Sequence, residues 1–342
     1  VPLALGAAIL FGASTPLSKY LLGSIDPWML AGVLYFSAGI GLLAVSLVRN
    51  AFGAATAEAS LSRADYPWLA AVIIFGGMAG PLLLMSGLSR TTAGQAALLL
   101  NLEGLATMGI AWLVFRENVD RHLLLGAFAI LLGAVVLTWN GTGISFDVGG
   151  LLIAAACLAW GIDNNLTRKL SSADPVQIAT IKGLFAGATN LALAFSLGAS
   201  VPSAGFLAAG GLVGFFGIGV SLVMFMLGLR HLGTARTGAY FSLAPFIGAL
   251  LAIILLQESV TAQLLIAGLL MAIGLVLHLA ERHEHEHSHE ELEHDHLHVH
   301  DEHHAHGHNG EVTEPHSHRH RHRPLRHKHP HYPDLHHRHG HR

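Results

Sequence analysis

The sequence predicts an all-α integral membrane protein: ten transmembrane helices arranged as two inverted five-helix repeats, then a disordered C-terminal tail. Three observations predict it. The first is composition: 52% of the 342 residues are hydrophobic and 12% are charged, against about 25% charged in an average soluble domain. The second is the split along the chain. Residues 1–280 hold 10 acids and 11 bases, whereas residues 281–342 hold 12 acids, 8 bases and 23 of the 26 histidines. The third is an internal repeat, described below. A soluble core is excluded, because 280 residues so poor in charge cannot keep a solvated surface. A disulfide-built secreted domain is excluded too, since Cys157 is the only cysteine.

Apolar runs of about 20 residues match a hydrocarbon core about 30 Å thick. They predict helices over 3–22, 28–48, 67–89, 93–115, 122–140, 149–168, 175–198, 205–229, 234–256 and 262–280. The first run has no positive flank and nine more follow it, so it does not read as a signal peptide. It ends at Ser24-Ile25-Asp26-Pro27. The second ends before Ser62-Arg63-Ala64-Asp65-Tyr66-Pro67. Arg116–Arg121 separates the fourth from the fifth, and Asn140-Gly141-Thr142-Gly143 closes the fifth. Ser171–Pro175 and Ser200–Ser203 bound the seventh. These are turn and charge signals.

Lys and Arg near helix ends set the orientation. With the N-terminus in the cytoplasm, the inner loops carry Arg49, Arg63, Arg116, Arg121, Arg168, Lys169 and Arg230, with Arg282 after the last helix. The outer loops carry only Lys19 and Arg90. Both termini are expected to be cytoplasmic, in a bacterial-type inner (plasma) membrane crossed many times.

Residues 87–117 and 228–258 align without a gap at an offset of 141. Gly87-Leu88 faces Gly228-Leu229, Glu117 faces Glu258, and Gly133 faces Gly274. Earlier, Phe11-Gly12 and Lys19 face Trp160-Gly161 and Arg168, and Asp26-Pro27 faces Asp174-Pro175. The expected units are residues 1–140, 141–280 and the tail 281–342. Each half has five helices, an odd number, so the halves must be inverted. Inverted repeats around a midplane site mark secondary transporters.

The segments TTAGQAALLLNLEGLATMGIAWLVFRE (91–117) and LGTARTGAYFSLAPFIGALLAIILLQE (232–258) resemble the two copies of the EamA signature of the drug/metabolite transporter superfamily. The resemblance covers residues 1–280. It implies ten helices in two inverted halves, and export of amino acids, metabolites or drugs, or exchange of sugars and phosphates. Gly104 stands in the first copy where the second has Pro245, so only the second half is expected to have a proline-bent helix there.

Charges inside the membrane are the candidate site. Glu103 sits near the middle of the fourth helix, beside Asn101 and Gly104. An ionised carboxylate at that depth costs about 2.5–3.5 kcal/mol by the smaller scales. It reads as a proton-coupling or substrate-cation site, or as a protonated Glu bonded to a neighbouring helix; its repeat partner is Ala244. Asp163, followed by Asn164, and Lys182 lie at similar depth near the inner ends of the sixth and seventh helices. They are expected to form an ion pair at the inner vestibule, unless Lys182 snorkels to the headgroups. Arg236 and Tyr240 share a face of the ninth helix at i, i+4, within reach of an anionic or aromatic substrate. Gln95, Ser14, Thr15 and Asn190 are further pore-lining candidates, each alone more often an interhelical hydrogen bond. Glu117 and Glu258 repeat at helix ends, which suggests a structural role. His122 and His231 are isolated and weak as metal ligands. There is no hydrolase triad and no Walker pattern, so an enzyme or an ATP-driven pump is not expected.

The tail carries a second chemistry. Histidines alternate at His283, His285, His287 and His289, at His294, His296, His298 and His300, and at His316, His318, His320 and His322. Others are His303, His304, His306 and His308, then His327, His329 and His331, and finally His336, His337, His339 and His341. In an extended chain the i, i+2 spacing sets imidazoles on one side. Neutral imidazole suits nickel, zinc, cobalt and copper. At four ligands per ion, 23 histidines suffice for roughly five or six ions. Residues 281–314 hold 11 acids and one base, residues 315–342 one acid and seven bases. The basic block suits the anionic inner leaflet. Too few apolar residues are present for a core, so the tail is expected to be disordered without metal.

Three functions fit. One is export of a small organic solute by alternating access, with a transition-metal-binding regulatory tail and no cofactor required for transport. Another is transport of a divalent transition metal or its chelate. The last is a non-transporting metal buffer or sensor. The expected partners are the lipid bilayer, a small-molecule or metal substrate and, as one admissible assembly, a second copy in a homodimer; no nucleic acid is expected.

Overall fold

The computed structural model describes residues 1–51, 61–115, 121–139, 147–167, 170, 174–232, 234–279 and four tail stretches, 284–288, 292–298, 316–322 and 326–330. Helix covers each of the ten apolar runs. They are α1 (Pro2–Leu21), α2 (Pro27–Ala51), α3 (Tyr66–Val72, Ile73–Ala79, Gly80–Leu88), α4 (Ala93–Leu99, Leu102–Phe115) and α5 (Arg121–Thr138). Then follow α6 (Val148–Thr167), α7 (Pro175–Ser196), α8 (Ala204–Val213, Gly214–Val220, Ser221–Leu232), α9 (Thr234–Phe241, Ala244–Leu256) and α10 (Ala262–Leu279). Among the described residues eight helices are long and apolar enough to cross a membrane, and Ala262–His278 forms a shorter apolar one. Large apolar side chains such as Leu113, Phe128, Phe185 and Leu269 face outward, as lipid contact requires.

The helix starts follow from local chemistry. Asp26 Oδ1 accepts the N–H groups of Trp28 and Met29, with Pro27 in the first turn of α2. Asp174 does the same for Val176, with Pro175 following. An Asp oxygen satisfies donors that have no intrahelical partner, and Pro lacks one of them. The Asp-Pro pair repeated in the sequence is thus a repeated cap.

Two pairs of interruptions recur at nearly the same offset. Ile73–Ala79 in α3 and Gly214–Val220 in α8 are both π-helical, 141 residues apart. The chain also breaks at Leu100-Asn101 in α4 and at Ser242-Leu243 in α9. A bend only in the proline-bearing copy was expected; the first copy breaks as well, without proline. There, Asn101 N–H and Glu103 N–H bond three residues back, to Leu98 and Leu100, and Asn101 Nδ2 donates to Leu98 O. The Asn101 side chain thus takes a carbonyl of the turn that precedes the break.

The two halves are interlaced. α2 lies along α7 and α5 along α10, while α1 packs on α8 and α9 and α6 packs on α3 and α4. Small residues permit this closeness. A Cβ on Gly39 would strike the backbone of Gly183 and Leu184. Gly126 lies against the Gly274 carbonyl and Gly133 against that of Ala267, a pair of contacts that maps onto itself at offset 141. Gly12 meets Ala244 and Ile247, as Gly161 meets Ala106 and Thr107.

Within the tail the structure describes four short backbone segments. Four strands, β1 (Glu284–Ser288), β2 (Leu292–His298), β3 (His316–His322) and β4 (Arg326–Pro330), form antiparallel pairs β1–β4 and β2–β3. In this register Glu286 is opposite Lys328, Glu293 opposite Arg321 and Asp295 opposite Arg319. His283, His289, His300, His303, His304, His306, His308, His331, His336, His337, His339 and His341 lie outside the described residues.

Candidate functional site

α6 brings the polar groups together. Asp163 and Asn165 are buried on it, with Asn164 half-buried between them. The Lys182 ammonium from α7 donates to Asp163 Oδ2 at 2.5 Å, the side chains being 13% and 7% exposed. The expected ion pair is thus formed, and Lys182 does not snorkel. On the other flank, Asn164 Nδ2 donates to Glu103 Oε1 at 2.9 Å and to Thr107 Oγ1 at 3.1 Å. Thr107 Oγ1 in turn donates to the Glu103 carbonyl. Asn165 Nδ2 bonds the carbonyls of Thr107 and Gly161. Glu103 belongs to the first half and Asn164 to the second, so this network spans the halves.

The π segment of α3 forms the floor. Its wider turn frees carbonyls for side chains from other helices. Gly76 O accepts Tyr35 Oη from α2 and Trp160 Nε1 from α6, both at 3.0 Å. Gly77 O accepts Asn190 Nδ2 from α7 at 3.0 Å. The Asp163 carboxylate occupies the space where a side chain at Gly76 would begin. In the second half Gly217 meets Ser14 in the same way, so Ser14 is the neutral counterpart of Asp163.

Of the candidates, Glu103, Asn164, Asp163 and Lys182 are brought together. Ser14 Oγ back-bonds to Phe11 O, and Ser14 and Thr15 are buried in α1. Asn101 serves the α4 break and reaches Met271 Sδ at 3.7 Å. Gln95 sits in the first turn of α4 and accepts from Thr91 Oγ1. Asn190 is fully buried on Gly77. Tyr240 is half-buried two residues before the α9 break, and the side chains of Arg236 and His231 lie outside the described residues. Thr107, Asn165, Tyr35 and Trp160 were not singled out from the sequence. Thr107 had a signal, standing four residues after Glu103 on the same face. Tyr35 and Trp160 had none, since nothing local announces a π turn.

Glu258 is structural, as its repeat suggested. Its two oxygens accept the N–H groups of Ala93 and Gly94 at 2.6 and 2.8 Å, an anion on a helix N-terminus. Gln257 adopts a left-handed conformation (φ 54°, ψ 35°) to turn Glu258 there. Beside it Lys19 Nζ donates to Leu88 O at 2.7 Å. Glu117 lies outside the described residues, as do Arg168 and Lys169. No group of three or more metal-ligating side chains occurs among the described residues.

Comparison with known proteins agrees with this architecture. The model of the EamA-like transporter family matches residues 1–139 and again 147–280. A protein of Methanothermobacter thermautotrophicus described as an uncharacterized transporter is 33% identical over 283 residues, 78% of this chain and 82% of the relative. The uncharacterized transporter YyaM of Bacillus subtilis is 24% identical over 288 residues, 80% and 92% of the two chains. One crystal structure superposes with a TM-score of 0.60 at 20% identity, over 80% of this chain and 94% of that one. That likeness concerns the fold alone. A membrane protein whose apolar helices cross-pack two similar halves, and which the family model matches twice, belongs to the EamA-like transporter family.

Proposed function

We propose that the protein is a secondary transporter that exports a small organic metabolite by alternating access, with a metal-binding regulatory tail. Ten spans in two inverted units, 1–140 and 141–280, fit the recurrence of breaks, π turns and glycine contacts at nearly constant offsets. The Lys and Arg distribution supports a cytoplasmic side for both termini and the 281–342 tail.

One observation carries the reading: the hydrogen bond from Asn164 to Glu103, 2.9 Å long, which joins the two halves at a membrane-embedded acid. When the halves rock apart, Glu103 loses this donor. A bare carboxylate in the membrane costs about 2.5–3.5 kcal/mol. Movement is therefore coupled to loading Glu103 with a proton or with a cationic group of the solute. Asp163, neutralised by Lys182, supplies a second polar contact. A bare divalent ion wants several anionic or imidazole ligands, and among the described residues the carboxylate near Glu103, Asp163, is already paired with Lys182.

The test compares cells with and without the protein. Metabolite pools inside and outside are profiled, and nickel, cobalt, zinc and copper contents are measured. The expected result is an extracellular rise of amino acids or other small metabolites, lost with Glu103→Gln and kept, without metal dependence, after deletion of 281–342. A fall in one metal that Glu103→Ala abolishes, with unchanged metabolite pools, would overturn it in favour of metal export.

A further inference from the structure

α4 and α9 meet at their breaks, and the two sides of that meeting differ. On the outer side, away from the start of α1, Ala93–Leu99 and Ala244–Leu256 lie packed together. A Cβ on Gly248 would stand 3.0 Å from that of Ala97 and 2.9 Å from the Gly12 carbonyl oxygen of α1. On the inner side, among the described residues, Leu102–Phe115 packs on α6, Thr234–Phe241 packs on α8 and α1, and the two pieces do not pack on each other. A Cβ at Gly104, Gly109 or Gly238 would meet nothing within 4 Å. The crossing of α4 and α9 is thus shut on the outer side and parted on the inner one.

Two charges fasten the shut side. Lys19, in the last turn of α1, donates from Nζ to Leu88 O, at the end of α3, at 2.7 Å. Glu258, just past α9, accepts the N–H groups of Ala93 and Gly94, at the start of α4, at 2.6 and 2.8 Å. The α3–α4 turn is therefore held at one end by α1 and at the other by the end of α9. Each charge satisfies backbone groups at a helix end, which have no partner within the helix. Hydrogen bonds to charged groups are roughly twice as strong as neutral ones. The glycine and alanine contacts beneath let the helices approach, but no hydrophobic drive keeps them together. Lys19 and Glu258 stand at helix ends, where water can replace their bonds once the turn moves away.

We propose that Lys19 and Glu258 form a two-point lock that holds the outer side shut during the transport cycle. The inference rests on the alternating-access reading and adds which contacts break when the outer side opens. Opening carries the α3–α4 turn away from α1 and α9, so both contacts are lost in that step and re-form on return.

The experiment measures distances between paired spin labels by electron–electron double resonance in the full-length protein in detergent. Ser89→Cys with Val260→Cys reports on the outer side, and Val114→Cys with Leu232→Cys on the inner side; the buried Cys157 is replaced by Ala. Lys19→Met and Glu258→Ala are each expected to raise the ratio of long to short outer distances about tenfold, as the loss of a hydrogen bond to a charged group does, while the inner distance shortens. Lys19→Arg keeps a donor and the wild-type distribution. Glu103→Gln, uncharged like the loaded acid, monitors the cycle itself and moves the outer and inner distances in opposite senses. If it does so while Lys19→Met and Glu258→Ala leave both distances as in the wild type, the lock is overturned and alternating access stands. Lock variants in which both distances lengthen together have lost structure rather than changed state, and this too overturns the lock. If the outer and inner distances move in opposite senses in none of these proteins, both readings fall.

Discussion

Asp163 and Lys182 form an ion pair 2.5 Å long between α6 and α7, with side chains 7% and 13% exposed. The carboxylate lies against Gly76 in the π segment of α3, so three helices depend on one charge pair. Lys182→Met would leave a buried carboxylate without its partner. Loss of about 3–5 kcal/mol is expected, with Asp163→Asn plus Lys182→Met less damaging than Lys182→Met alone. Thermal unfolding of these two variants and the wild type in detergent checks this.

Gly76 and Gly104 make opposite predictions. A Cβ at Gly76 would collide with the Asp163 carboxylate, whereas one at Gly104 meets nothing within 4 Å. Gly76→Ala should cost about 1–3 kcal/mol by overpacking. Gly104→Ala should be neutral or stabilise by up to about 1 kcal/mol, because alanine favours helix. The same unfolding measurement decides, and equal effects at both positions would refute the close approach.

Glu258 links the end of α9 to the start of α4 through two N–H groups. Glu258→Ala should destabilise by up to about 2 kcal/mol, the upper range for a charge on a helix terminus. Glu258→Gln should recover part of it, since the amide oxygen accepts one bond. Hydrogen exchange at Ala93 and Gly94 should rise in the same order.

Asn164 tests the link between the halves. Asn164→Leu removes the donor from Glu103 and Thr107. Solute export should fall more than tenfold, the size of a lost hydrogen bond to a charged group of about 1.5–3 kcal/mol. Asn164→Ala with export intact would remove Glu103 from the transport cycle as described above.

Much of the fold was legible locally. The apolar runs and the Asp-Pro caps each depend on a few neighbouring residues, and each has its structural counterpart. The ion pair was legible as one of two outcomes, because two charges on consecutive helices, at similar depth beside one short turn, can meet; the other was Lys182 snorkelling to the headgroups. The Glu103–Asn164 bond was not, because 61 residues separate its ends and their meeting depends on how α6 enters the other half.

By itself the sequence determined where the helices lie, how they are capped and that the chain repeats, since hydropathy, capping and periodicity act over a few residues. Tertiary structure alone decided that α1 and α6 each lodge in the opposite half, that Gly76 and Gly77 offer their carbonyls to Tyr35, Trp160 and Asn190, and that Glu103 finds Asn164. Those choices belong to packing. Between membrane helices hydrophobic drive is absent, so close backbone contact and the satisfaction of buried polar groups select the partners.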